Sequence, residues 1–199
     1  MTSIAAFGCW LPARVVPNSE LAPQLDCTPE WMLEMSGIAE RRYASADEDV
    51  VAMAVGAAKD CLKRAQTSPA DVRLLIVSSA SAPQRFPGPA AAVAAQLGMG
   101  DTPAMDIPVA SAGSLFGMVL ASKLAPSTGP VLVIGAEKMS SAIVLEPAYK
   151  ATSILFGDGA GACLVREGPG LLRIIDWQLG SDGAFAADLR LPLTGPIEM

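Results

Sequence analysis

Short apolar runs set between Ala-rich helical stretches are the feature that most limits how this chain can fold. Val72 to Ser79, after Pro69, is rich in β-branched residues and reads as a strand buried on both faces; Pro130 to Gly135 reads the same way. Ile4 to Trp10 (ending at Leu11-Pro12), Ala104 to Val109 and Leu171 to Leu179 add further strands. Asp47 to Gln66 places Val51, Val55, Ala58 and Leu62 three or four residues apart, which predicts an amphipathic helix. Gly88 to Leu97, closed by Gly98, and Ser111 to Leu124 predict two more. Thr28-Pro29-Glu30 is a cap followed by Pro at the first helical position, and Asn18 reads as a second cap. Thr152 to Phe156 and Ala160 to Arg166 flank Gly157-Asp158-Gly159 and predict a hairpin with a D-G turn. Strands alternating with helices argue an α/β layered fold on a mainly parallel sheet, with antiparallel strands at one end.

Composition narrows the function. The chain has 199 residues, a formal charge of −6, 51% apolar residues and no histidine. That length suits one domain with a large core, and the apolar content excludes intrinsic disorder. An acidic chain lacks the clustered Lys and Arg that nucleic-acid phosphates need. Without histidine, any mechanism using an imidazole base must borrow it from another chain. Cys9, Cys27, Cys61 and Cys163 form no C-x-x-C pair, so no zinc site is expected and they read as free thiols of a reducing compartment. The longest uncharged stretch, Ile107 to Ser122, carries Pro108, Gly113 and Gly117 and falls short of a membrane span. The N-terminus shows no charged leader or long apolar segment, so a soluble, cytoplasmic protein is expected.

One segment has the layout of a reactive centre. In Met105 to Met118 a strand runs into small residues, then Ser111, then a helix. This is the logic of a nucleophile elbow, although Val109 stands where the G-x-S-x-G string has its first glycine. The helix dipole there favours negative charge, and free backbone N–H groups can hold an oxyanion. The plainer alternative is that Ser111 only caps the helix. Phe156-Gly-Asp-Gly-Ala-Gly-Ala162 lacks the Lys-Ser/Thr of a phosphate loop, and turn glycines are the better reading.

Taken together, Gly8-Cys-Trp-Leu-Pro12, Glu30-Trp31, Ser36-Gly-Ile38 with Glu40-Arg41, Phe86-Pro87, Asp106 to Gly113 and Phe156 to Ala162 resemble the N-terminal half of a ketoacyl synthase III, a condensing enzyme of the thiolase fold. The resemblance implies one pseudo-symmetric half, residues 1–199, of an α/β/α/β/α sandwich. It also implies acyl transfer from an acyl-CoA or acyl carrier protein thioester in fatty-acid or polyketide-type biosynthesis, with no cofactor or metal. Ser111 falls at the family's nucleophilic cysteine, and a hydroxyl gains less than a thiol from a helix N-terminus and needs a base. Members with serine here that transfer acyl groups fit this pattern, as does a Cys→Ser trapped variant or a non-catalytic supporting subunit. The family's catalytic His and Asn lie in the C-terminal half, which is expected as a second chain or a removed segment beyond Pro196-Ile-Glu-Met199. Trp31 and Lys150 stand where the family sandwiches the adenine of coenzyme A between Trp and Arg; Lys keeps the charge and loses the planar group. Met35 and Ala39 replace basic residues near the phosphates. Phe86 matches a residue that crosses a dimer interface into the neighbour's acyl pocket, so a homodimer-like assembly built on residues 103–109 and the Phe86 loop is implied.

Overall fold

The structure is a computed structural model that describes residues 1–84 and 86–191. The stretch Pro196 to Met199, where the resemblance puts the junction with a second half, lies outside the described residues.

A six-stranded sheet forms the centre. Its strands are β1 (Thr2–Trp10), β4 (Leu74–Ser78), β5 (Ala104–Ile107), β6 (Val131–Lys138), β7 (Asp158–Glu167) and the two-residue β8 (Leu172–Arg173), in the order β5-β4-β6-β7-β1-β8. β4 runs parallel to β5 and β6, whereas β6–β7, β7–β1 and β1–β8 are antiparallel. The sheet is therefore mixed rather than mainly parallel. A separate ribbon pairs β2 (Arg14–Pro17) with β3 (Glu40–Tyr43).

Strand alternation sorts the core onto two faces. Leu75, Val77, Leu132, Ile134 and Leu164 pack against α3 (Val50–Ala65) and α4 (Pro89–Gln96). Ile76, Val131, Val133, Cys163 and Val165 face α5 (Gly113–Thr128). The result is helix, sheet, helix. A third cluster joins the β2–β3 ribbon to α1 (Asn18–Leu21) and α2 (Pro29–Ser36) through Val16, Leu21, Leu25, Met32, Tyr43 and Ile154.

The cap expected at Thr28 is present, alongside two helix ends not foreseen from the sequence. Thr28 caps α2, its hydroxyl accepting from the Trp31 N–H at 3.1 Å, and Asp49 caps α3. α2 ends on Gly37 in the left-handed region, which glycine enters without a steric penalty. Other expectations are corrected. Asn18 is no cap: its amide is buried, donating to the Ile38 carbonyl at 2.7 Å and accepting from Arg41 Nη2 at 2.7 Å. Thr152 to Phe156 is not a strand and there is no D-G hairpin; α6 (Lys150–Ser153) and a turn occupy that stretch, and β7 starts at Asp158. The reason is the Asp158 side chain, which accepts from the Ala44 N–H (2.7 Å), the Ser140 N–H (2.8 Å) and the Ser140 hydroxyl (2.6 Å), fixing the strand's first residue against two other segments. Of Leu171 to Leu179 only Leu172–Arg173 pairs as a strand.

Candidate active site

Ser111 sits in a 3₁₀ turn, Ala110–Ala112, between β5 and α5. The turn lies at the C-terminal edge of the parallel strands β5, β4 and β6, where open α/β sheets bind ligands. Gly113 makes this geometry possible. A Cβ there would stand 1.9 Å from Ser78 Oγ and 2.9 Å from Ser78 Cβ, so only glycine lets α5 begin this close to the end of β4.

The Ser111 side chain is exposed, and among the described residues its hydroxyl makes no hydrogen bond. The residue that precedes α5 is Ala112, with no side-chain cap. The capping alternative for Ser111 is thus overturned: the 3₁₀ turn pushes the residue one position out of the helix and leaves its oxygen open.

Two cavities meet at Ser111. One, of about 330 Å³, is walled by Met139, Leu155, Phe156, Gly157 and Leu189; the other, of about 320 Å³, by Ser78, Ser114, Gly135, Gly159 and Gly161. Glu137, at the end of β6, lines both. Its carboxylate accepts from the N–H groups of Ala80 (2.8 Å) and Ser81 (2.9 Å) and from the Ser81 hydroxyl, so it shapes the loop that follows β4. Sequence reasoning missed Glu137; the only local signal is a carboxylate closing a buried apolar run.

Trp31 and Lys150 are brought together. The Lys150 ammonium stands 5.1 Å from the Trp31 ring centroid, a cation–π distance, and donates to the Asp26 carbonyl at 3.5 Å. Neither residue lines the Ser111 cavities. They connect to them along the chain: Lys150 opens α6, and Leu155, Phe156 and Gly157 follow as cavity wall. Phe86 lies apart from both, 89% exposed in the loop before α4.

Other ionisable groups have structural parts. Asp106, on β5, accepts from the Ala90 N–H at 2.9 Å, and Gly88 has no Cβ because the carboxylate fills that space. Burial pushes the Asp106 carboxyl above the usual range. Burial also pushes the Cys61 thiol up to about 11 and Cys163 to about 12, so neither offers a thiolate near neutral pH. All four cysteines are free. Among the described residues no group of His, Cys, Asp and Glu is placed to hold a metal ion, and no helix is long and apolar enough to cross a membrane.

Comparison with known proteins fits this arrangement. The family model for 3-oxoacyl-[acyl-carrier-protein] synthase III matches residues 105–183, which run from β5 through Ser111 to the end of the sheet. The β-ketoacyl-[acyl-carrier-protein] synthase III 3 of Streptomyces coelicolor is 38% identical over 197 residues, covering 97% of this chain and 58% of the relative. The crystal structure of 3-oxoacyl-[acyl-carrier-protein] synthase III from Aquifex aeolicus superposes with a TM-score of 0.88 at 35% identity, over 100% of this chain and 64% of that one. The corresponding Pseudomonas aeruginosa structure gives 0.90 at 27% identity. The chain therefore spans less than two thirds of the length of these relatives. An α/β sandwich that presents residue 111 from a tight turn at the head of α5, together with these matches, makes the chain similar over almost its whole length to part of the ketoacyl synthase III enzymes of the thiolase superfamily.

Proposed function

We propose that this chain takes an acyl group from a thioester onto Ser111, as part of an acyltransferase or condensing enzyme of fatty-acid or polyketide-type biosynthesis. The observation that carries the reading is the exposed, unengaged Ser111 hydroxyl at the head of α5, beside a cavity walled by Met139, Leu155, Phe156 and Leu189. Ser111 Oγ attacks the thioester carbonyl, the C–S bond breaks, and the proton lost by the hydroxyl goes through a base to the departing thiol. The backbone N–H of Ser111 contributes to the oxyanion hole. The chain has no histidine, so the base comes from the remainder of a full-length enzyme, present as a second chain or as a segment since removed.

The shape of α5 supports that remainder. The helix buries Gly113, Gly117, Ala121, Ser122 and Ala125 and turns Leu115 (58% exposed) and Leu120 (40%) outward. Large apolar side chains turned outward on a helix form a patch for another element to cover. The edge strand β5 and the projecting Phe86 support a homodimer-like assembly. Lys150 lies over the Trp31 face on which an adenine would stack, and this favours an acyl carrier protein thioester over acyl-CoA. A cytoplasmic setting goes with these substrates.

A specific observation favours a second reading: among the described residues no base touches Ser111, as expected of a supporting subunit or a Cys→Ser trapped form of an active ketosynthase. Mass spectrometry after incubation with acyl-CoA and acyl carrier protein thioesters, with the completing half present, decides. A stable adduct on Ser111 supports acyl transfer; its absence favours the supporting subunit.

A further inference from the structure

Arg41, on β3, is 6% exposed, and among the described residues no carboxylate lies within ion-pairing distance of it. Its guanidinium spends its hydrogen bonds on neutral oxygens instead. Nη2 donates to Asn18 Oδ1 at 2.7 Å and to the Ile154 carbonyl at 3.4 Å, Nη1 donates to the Val16 carbonyl at 3.4 Å, and Nε has no partner. A buried cation without a counter-charge is expensive, and one placed only to fill space would be better replaced by an apolar side chain. Its contacts indicate what it holds. The tip reaches Ile154. The stem meets the same segment three residues on, where a Cβ at Gly157 would lie 3.1 Å from Arg41 Cβ. Between those two points stand Leu155 and Phe156, which wall the cavity at Ser111. Four residues before Ile154 is Lys150, seated over Trp31.

We propose that Arg41 is a positioning residue: it grips the segment from Ile154 to Gly157 at both ends and thereby sets the cavity wall against which an acyl chain is selected, without lining that cavity itself. The selection part rests on the acyl-transfer reading above; the grip does not.

The test compares Arg41→Met and Arg41→Lys with Leu25→Ala, a cavity-forming change in the same small cluster, all in the full chain. The first readout is amide hydrogen exchange at Ile154 and Leu155, whose N–H groups donate to the Lys150 and Thr152 carbonyls. Arg41→Met is expected to speed exchange there at least tenfold, Arg41→Lys to restore part of the protection, and Leu25→Ala to leave it unchanged. No acceleration in Arg41→Met, or equal acceleration in Leu25→Ala, overturns the grip. The second readout is acylation of Ser111 by N-acetylcysteamine thioesters from acetyl to octanoyl, with the completing half present, followed by intact mass. Arg41→Met is expected to shift the octanoyl-to-acetyl ratio at least fivefold while Leu25→Ala keeps it; an unchanged ratio overturns the selection. If Arg41→Met does not fold, Arg41→Lys carries both comparisons. If the unsubstituted chain, with the completing half present, accepts no acyl group from any thioester, the acyl-transfer reading falls, and hydrogen exchange still decides the grip.

Discussion

The two faces of the sheet are covered by helices of equal length and opposite design. α3 puts Val50, Met53, Val55 and Leu62 into the core and turns Lys59, Lys63 and Arg64 to solvent, as a surface helix does. α5 does the reverse, laying small residues on the sheet and presenting its large aliphatic ones outward. The difference teaches that apolar content alone does not say which side of a helix is its core side. On α3 the large residues hold the fold. On α5 Met118 packs against the core while Leu115 and Leu120 stay exposed among the described residues, and the head of the helix presents Ser111.

This contrast can be broken at several points. The largest effect is expected at the head of α5. Ser111→Ala should abolish acyl-adduct formation while leaving unfolding free energy within about 0.5 kcal/mol, since the hydroxyl caps nothing. Ser111→Cys should raise adduct formation, because a thiol gains more from the helix N-terminus. Full transfer by Ser111→Ala, measured by intact mass, would take the chemistry away from α5.

On the other face, Met53→Ala should cost about 2–5 kcal/mol in urea unfolding, because a fully buried side chain is removed, and leave acylation of Ser111 unchanged. Gly117→Ala on α5 should cost about 1–3 kcal/mol, since its Cβ would fall 2.7 Å from Val133 Cγ1. Leu120→Lys, on the outward side of the same helix, should stay within about 0.5 kcal/mol in the isolated chain and lower affinity for whatever covers α5. A loss comparable to that of Met53→Ala would mean that the outward side of α5 is already packed.

The smallest effect is a pH dependence. Cys61 belongs to the α3 side and Cys163 to the α5 side, and both have folded pKa values raised above that of an open thiol. Their contribution is complete below the unfolded thiol's pKa, about 8.5, and is lost as pH rises toward 11 to 12. The urea midpoint should therefore fall between pH 8 and 10.5, and alkylation of the native chain at pH 8 should mark exposed Cys9 and spare both buried thiols. A flat midpoint would show that neither thiol stays neutral in the fold.

The sequence revealed what is local. Strands at Leu74–Ser78 and Val131–Lys138 were legible because burial on both faces leaves a continuous apolar run, and the Thr28 cap needs only its own helix. The same run signal failed at Thr152 to Phe156, where Asp158 is anchored by Ala44, 114 residues earlier. The layout around Ser111 was visible as a strand, small residues and a helix, yet its freedom from capping depends on a 3₁₀ turn that no residue pattern marks. Trp31 and Lys150 came together only through a family resemblance. Glu137 stayed hidden because the groups it binds lie 56 to 57 residues upstream.

Gly113 divides the site into a part that can be exchanged and a part that cannot. The side chain at 111 is exposed and makes no hydrogen bond among the described residues, so swapping its chemistry removes no bonded partner, whereas any side chain at 113 collides with Ser78. Mutational drift around this turn should therefore be lopsided: oxygen and sulfur trade places at 111 at little structural cost while 113 stays fixed. A library built on this scaffold to test the proposed acyl transfer should vary residue 111 and hold Gly113 and Ser78 constant as a pair.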